Sequence, residues 1–238
     1  MFSKSAEFYD EIYGAMGKDY SAEADKVRQF IQAHKQSAGD HLLDVACGTG
    51  MHASLLSQFY KVEGLDLDAK MLAVARRKYP AIRFHHGDML DFELKNKFDA
   101  IVCLFSSIGY VKTKPRLQKA IQNMTRHLVP GGVLLIEPWF SPDEWNAGRI
   151  HMTTVTQPEL KIVRMSHSRR RGQVSIIEFQ YLIGTPKGIE QRNEIHEMGL
   201  FTPEEYLGAF QAAGLKVVHD AEGLDGRGIY IGRKQIRE

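Results

Sequence analysis

Three acids lie near a glycine turn in the first third of the chain, and their spacing suggests a ligand. Asp44 stands inside the apolar start of HLLDVACGTGMH (His41–His52), ahead of Gly48 and Gly50. Asp66 closes KVEGLDL, and Asp88 follows in HHGDM. A strand, a glycine turn and a helix form a site for a nucleotide-like cofactor, because the turn lets the backbone approach the ligand. Taken alone, Gly48-Thr49-Gly50-Met51-His52-Ala53 with Asp66 downstream also fits a loose dinucleotide fingerprint. Asp44 argues against a nicotinamide, since a dehydrogenase places an apolar residue there. A buried carboxylate needs a partner, and a cationic cofactor end supplies one. Asp88 can meet an adenine amino group at the end of a third strand. The cofactor that uses an acid near an α-amino group, one at a ribose and one at an adenine is S-adenosylmethionine (SAM). It has no pyrophosphate, so the glycine turn need only admit its methionine part.

The elements that would position these groups alternate. Ala24, Val27, Phe30 and Ile31 recur at helical spacing in Ser21–Ser37. Strands are expected at Leu42–Ala46, Lys61–Leu67, Ile82–Asp88 and Phe98–Phe105. The last is almost wholly apolar, as a central parallel strand buried on both faces should be. Helices are expected over Thr49–Tyr60, Lys70–Lys78 and Pro115–Leu128, with Pro130–Gly132 as a stop before a fifth strand, Val133–Trp139. From His151 to Gly199 the helix signal vanishes and β-rich segments alternate with turns at RRRGQ and GTPKG, which predicts an inserted antiparallel layer. Thr202-Pro203-Glu204-Glu205 forms a capping box opening a last helix, and LKVVHD and GRGIYIG close the chain. The organisation expected is one domain over 1–238: a helical lid at 1–38, a cofactor core at 39–148, the β insertion at 149–200 and a closing unit at 201–238.

Composition excludes several classes. Lys and Arg total 31 against 29 Asp and Glu in 238 residues, a balance that does not point to nucleic acid or a membrane surface. Two cysteines, Cys47 and Cys103, cannot make a disulfide framework, and a reduced cytoplasmic setting is expected. The first twenty residues are charged throughout, unlike a signal peptide, and no apolar run reaches membrane-spanning length. His85 and His86 are strand neighbours that point to opposite faces, so no metal site is expected.

LLDVACGTG, VEGLDLD, HHGDM and LVPGGVLLIEPW, in this order, resemble class I SAM-dependent methyltransferases. The resemblance implies an α/β, Rossmann-like sheet of seven strands whose last strand is antiparallel. EFYDEIYGAMGKDY, FSSIGYVKT, EPWF, MSHS and GLDGRGIYIG resemble the enzymes that N,N-dimethylate nucleotide-linked (dTDP) amino sugars of macrolide pathways. On this resemblance Ala46, Gly48, Gly50, Leu67 and Leu104 would line the cofactor, Asp66 would take its ribose, and Asp88 with the Met89 backbone its adenine. Asp44 would order the loop, and Tyr20 would meet the methionine carboxylate. Tyr13 and Tyr110 would flank the reacting amine, with Trp139 and His167 beside the acceptor and Arg170 and Arg227 available to a diphosphate. Related enzymes carry histidine or tyrosine at the Tyr110 position, so no obligatory general base is expected. No Asn/Asp-Pro-Pro-aromatic motif follows the fourth strand, which argues against a nucleobase acceptor. A homodimer is the assembly expected. The alternatives are another small-molecule acceptor, an alcohol or free amine, or a SAM- or nicotinamide-binding protein without transfer chemistry.

Overall fold

A computed structural model describes residues 2–236 of the chain. Strands β1 (His41–Val45), β2 (Lys61–Asp66), β3 (Arg83–His86), β4 (Phe98–Cys103), β5 (Leu128–Ile136), β10 (Leu215–Asp220) and β11 (Ile229–Lys234) build one sheet. Strands β6 (Ile150–Gln157), β7 (Leu160–Arg171), β8 (Val174–Thr185) and β9 (Gly188–Gly199) build a second. The first sheet runs β10-β11-β5-β4-β1-β2-β3. Its strands are parallel except at β11, which pairs antiparallel with both β5 and β10. Every residue of β4 is buried, as its unbroken apolar run requires. The second sheet is an antiparallel meander, β6-β7-β8-β9.

Among the described residues six α-helices accompany the sheets: α1 (Tyr9–Ala15), α2 (Tyr20–His34), α3 (Met51–Leu56), α4 (Ala69–Lys78), α5 (Lys114–Arg126) and α6 (Pro203–Ala212). Asp19 caps α2 by accepting from the Ala22 amide, and the helix buries Ala24, Val27 and Ile31. The capping box of α6 forms as expected, with the Thr202 and Glu205 side chains each bonded to the other's backbone.

One expectation is corrected. Pro130–Gly132 does not separate helix from strand; it lies within β5, while α5 ends at Arg126. The register against β4 slips between Phe98 and Ala100, so the proline sits at an irregularity that does not need its missing N–H. Similarly, the RRR of the predicted turn belongs to β7, and only Gly172 and Gln173 turn the chain. No described helix is long and apolar enough to cross a membrane.

Candidate active site

The carboxyl ends of β1 to β3 form one wall of a cavity of about 750 Å³. After β1 the chain turns sharply through left-handed residues, Ala46 at φ 60° and Gly48 at φ 57°. Such conformations cluster where a backbone must approach a ligand. The Gly48 amide donates to Asp66 Oδ2 at 2.8 Å, and the Asp68 amide donates to Asp66 Oδ1 at 2.7 Å. Asp66 therefore ties the β1 turn to the end of β2. Burial pushes its carboxyl up from the usual range, and these two amides oppose the shift. Leu67, Asp88 and Met89 continue the wall. Gly50 does not belong to it. It has φ 81°, and an added Cβ would lie 2.9 Å from the Phe84 ring, so the residue is glycine for backbone and packing reasons. The sequence placed Gly50 beside the cofactor, and the cavity lining holds Gly48 and not Gly50.

A smaller space of about 40 Å³, sharing Gly48 and Phe105 with the main cavity, is lined by Tyr20, Asp44 and Leu104. Asp44 Oδ2 and Tyr20 Oη are both buried there without a hydrogen-bond partner. An unsatisfied acceptor beside an unsatisfied hydroxyl suits the ammonium and carboxylate of an amino-acid group, so the residues present fit the methionine end of SAM. Burial pushes Asp44 up to about 7, with His52 opposing. The unliganded fold holds a proton on Asp44 that the unfolded chain releases near pH 4. Stability should then fall as pH rises from about 4 to about 7 and level off above. Asp44→Asn should remove that dependence and raise Tm by several degrees at about pH 8; thermal scans across this range check it.

The opposite wall carries different chemistry. Tyr13, Tyr110, Trp139, Arg164, His196 and Arg227 line it. Arg164, only 6% exposed, lies 5.3 Å from the Tyr13 ring and 4.9 Å from that of Phe179, and its Nη1 has no partner. Arg227 donates from Nη2 to Glu137 Oε1 and Asp225 Oδ2, each at 2.6 Å, leaving Nε unpartnered. Glu137 also accepts from the Phe105 amide through Oε2. Its carboxyl is raised by burial against the pull of Arg227. Tyr110 and His196 Nδ1 share a hydrogen bond of 2.5 Å. A buried guanidinium (Arg164) and a half-buried one (Arg227), each with a spare donor, are suited to an anionic ligand, phosphate in particular.

Two expected acceptor residues are elsewhere. On β7, Arg164 and Ser168 are buried and Ser166 half-buried, all three lining the cavity, whereas His167 is exposed on the other face. Successive side chains on a strand alternate, so a residue next to a site-facing one cannot share its face. Arg170 has the right parity but lies at the hairpin end. Its guanidinium is spent on Pro142 O, Gly172 O and Gln173 Oε1, outside the cavity. Among the described residues, no group of three or more His, Cys, Asp or Glu is placed to hold a metal.

Residues 42–132 match a model described as a methyltransferase domain. The chain is 43% identical to the dTDP-3-amino-3,6-dideoxy-alpha-D-glucopyranose N,N-dimethyltransferase of Streptomyces fradiae, over 95% of this chain and 89% of that one. DesVI of Streptomyces venezuelae superposes with a TM-score of 0.91 at 38% identity, covering 96% of this chain and 98% of the other. The chain belongs to the dTDP-amino-sugar N,N-dimethyltransferase family. It is a SAM-dependent methyltransferase with the seven-stranded sheet and reversed last strand that its motifs implied. SAM-bound CalS10, an amino pentose methyltransferase from Micromonospora echinaspora, superposes at 0.86 with 36% identity over 95% of this chain and 96% of that one.

Three residues of this cavity region do not stand out in the sequence by type or motif. Arg164 was one of five cations in a basic run, His196 one of ten histidines, and Glu137 one acid at a strand end. Lys18 was likewise unremarked. Its side chain is 7% exposed, bonded to Glu23 and 3.9 Å from the centre of the Phe105 ring, and it lines the cavity. For Arg164 a signal existed in the period-two pairing with Ser166 and Ser168.

Proposed function

We propose that this methyltransferase acts on the amine of a nucleotide-linked amino sugar. The observation that carries the reading is a pair of guanidinium groups, Arg164 and Arg227, each with an unpartnered nitrogen, lining the same cavity as Asp66 and Asp88. The relatives named above act, by their names, on dTDP-linked amino sugars, which supports it. SAM, when bound, supplies an already activated methyl group on a sulfonium. Asp66 would take the ribose, Asp88 and Met89 the adenine, Asp44 and Tyr20 the amino-acid end, with Ala46, Gly48, Leu67 and Leu104 shaping the space. Tyr13, Tyr110 and Trp139 would hold the sugar amine in line and keep water out, so positioning outweighs acid–base work. The lid at 1–38, core at 39–148, insertion at 149–200 and closing unit at 201–238 would divide these tasks.

We assign the diphosphate to Arg164 in place of Arg170, alongside Arg227. Arg164→Ala should raise KM for the nucleotide-linked sugar about tenfold or more, with SAM affinity unchanged, as loss of binding to a remote group does. Arg170→Ala should leave both within about twofold. Mass spectrometry and initial rates on nucleotide-linked and free amino sugars test this. Equal turnover of the two by wild type would retire the nucleotide-sugar reading and favour another small-molecule acceptor.

The setting proposed is cytoplasmic, with no nucleic-acid or membrane partner. A homodimer is proposed because the face of the second sheet turned away from the cavity is apolar and open. Ile150, Met152, Leu182 and Ile195 on it are each more than half exposed. Sedimentation should give a dimer at micromolar concentration; a monomer that is fully active would overturn the assembly.

A further inference from the structure

Behind Tyr110 lies a buried chain of polar groups that the assignments above do not use. Glu194, 6% exposed on β9, accepts from the Lys4 amide at 2.6 Å and the Ser5 amide at 3.1 Å. It also accepts from Ser5 Oγ at 2.9 Å and Tyr181 Oη at 3.1 Å. Burial would push its carboxyl up, but the nearby His196 ring and the hydrogen bonds from Ser5 and Lys4 outweigh burial and hold it below the usual value. Glu194 is therefore an anion anchored by four donors. Two residues along the same strand face, His196 is 2% exposed, with Nε2 3.6 Å from Glu194 Oε2 and without a hydrogen-bond partner. Its other nitrogen meets Tyr110. The ring is clamped by Phe2 at 4.2 Å and Phe179 at 5.1 Å between centroids. Arg164 also bears on it, and together with burial disfavours the imidazolium.

We infer that Glu194 and His196 are positioning residues that fix the direction of the Tyr110 hydroxyl, so that Tyr110 offers lone pairs and no proton to the acceptor amine. An anion facing Nε2 favours the tautomer with hydrogen on Nε2. That leaves a lone pair on Nδ1, and the ring can then only accept from Tyr110. A phenol has one hydrogen to give. Once it is committed to His196, the oxygen can only accept an N–H from the cavity side. The distinction decides whether the amine can react. A hydroxyl that donated to the amine would occupy the nitrogen lone pair that must form the new N–C bond. A hydroxyl that accepts an amine N–H leaves that lone pair free, and its bond strengthens as positive charge passes to nitrogen. Tyr110 needs no ionisation for this. Burial, with Tyr13 and Glu194 nearby, keeps it protonated far above neutral pH.

This inference rests on the amine reading, and two measurements separate their failures. Nitrogen-15 NMR of histidine-labelled wild type, with SAM absent, should show His196 neutral with hydrogen on Nε2 at about pH 7.5. Hydrogen on Nδ1, or an imidazolium, would overturn the inference whatever the substrate. A double-mutant cycle then tests the coupling. Glu194→Gln keeps an oxygen for the Ser5 and Lys4 donors but loses the charge. It should lower kcat for the amino sugar about tenfold with SAM affinity unchanged, the scale of one misdirected hydrogen bond. Tyr110→Phe should cost about the same, and Glu194→Gln should add less than about twofold in that background. Independent, multiplying losses would mean Glu194 only supports the fold and would sink the inference. Should Glu194→Gln fail to fold, the tautomer measurement decides alone. Wild type inactive on every amine, with the expected tautomer, would instead remove the amine reading.

Discussion

Asp66→Ala is expected to weaken SAM binding at least about a hundredfold while the protein stays folded. Two charge-assisted hydrogen bonds to ribose hydroxyls would be lost, at roughly 1.5–3 kcal/mol each. A second loss adds to the first, because Asp66 also holds the Gly48 and Asp68 amides and so shapes the turn that faces the ligand. Asp66→Asn should fall between the two, keeping one acceptor oxygen for those amides. Calorimetry with SAM on folded variants checks the order. Unchanged affinity in Asp66→Ala would remove Asp66 from the cofactor site and leave it as a loop clamp.

Arg227→Met should be the costliest single change for stability, about 3–5 kcal/mol, because it strands Glu137. That carboxylate is 1% exposed and has Arg227 as its charged partner at 2.6 Å. Removing one member of a buried ion pair leaves an uncompensated charge, which is worse than replacing both. The pair-removing variant Arg227→Met with Glu137→Gln should recover most of the loss, since the neutral amide keeps an oxygen for the Phe105 amide. Denaturant unfolding of the single and double variants measures this. A double variant no more stable than the single would show that Arg227 stabilises by packing and not by pairing. The same pair supports Phe105 and Ser106, which hold left-handed backbone at φ 52° and 57° after β4. Damage at Arg227 should therefore reach the cavity as well as the fold.

The cofactor half of the site was legible because it is local. Strand, turn and helix follow one another within a dozen residues, and the acids at 44, 66 and 88 each end or interrupt a strand of the same parallel sheet. Parallel packing brings those carboxyl ends side by side whatever the rest of the chain does. At Gly50 the sequence leaves the reason for the glycine open. A left-handed glycine in a turn signals a backbone need, and the sequence does not say whether ligand or neighbouring ring, here Phe84, creates it.

From its own residues the chain determines alternating strands and helices, the antiparallel insertion and acids placed for a SAM-type cofactor, while the reversal at the last strand came from the family resemblance. Tertiary structure alone added Phe2, Arg164 and His196 to the wall where the resemblance had already put Tyr13, Tyr110, Trp139 and Arg227, because that wall is gathered from distant segments. Which cations enter it depends on strand parity, where one residue moves a side chain to the opposite face. Alternation usually turns the apolar set inward, yet on β7 Val163 and Met165 are exposed and Arg164 is buried. The inverted pattern concealed Arg164 and favoured its neighbours His167 and Arg170. Only the packing of the second sheet shows which of them lines the cavity, where Arg164 sits among Phe179, Tyr181 and other buried apolar residues.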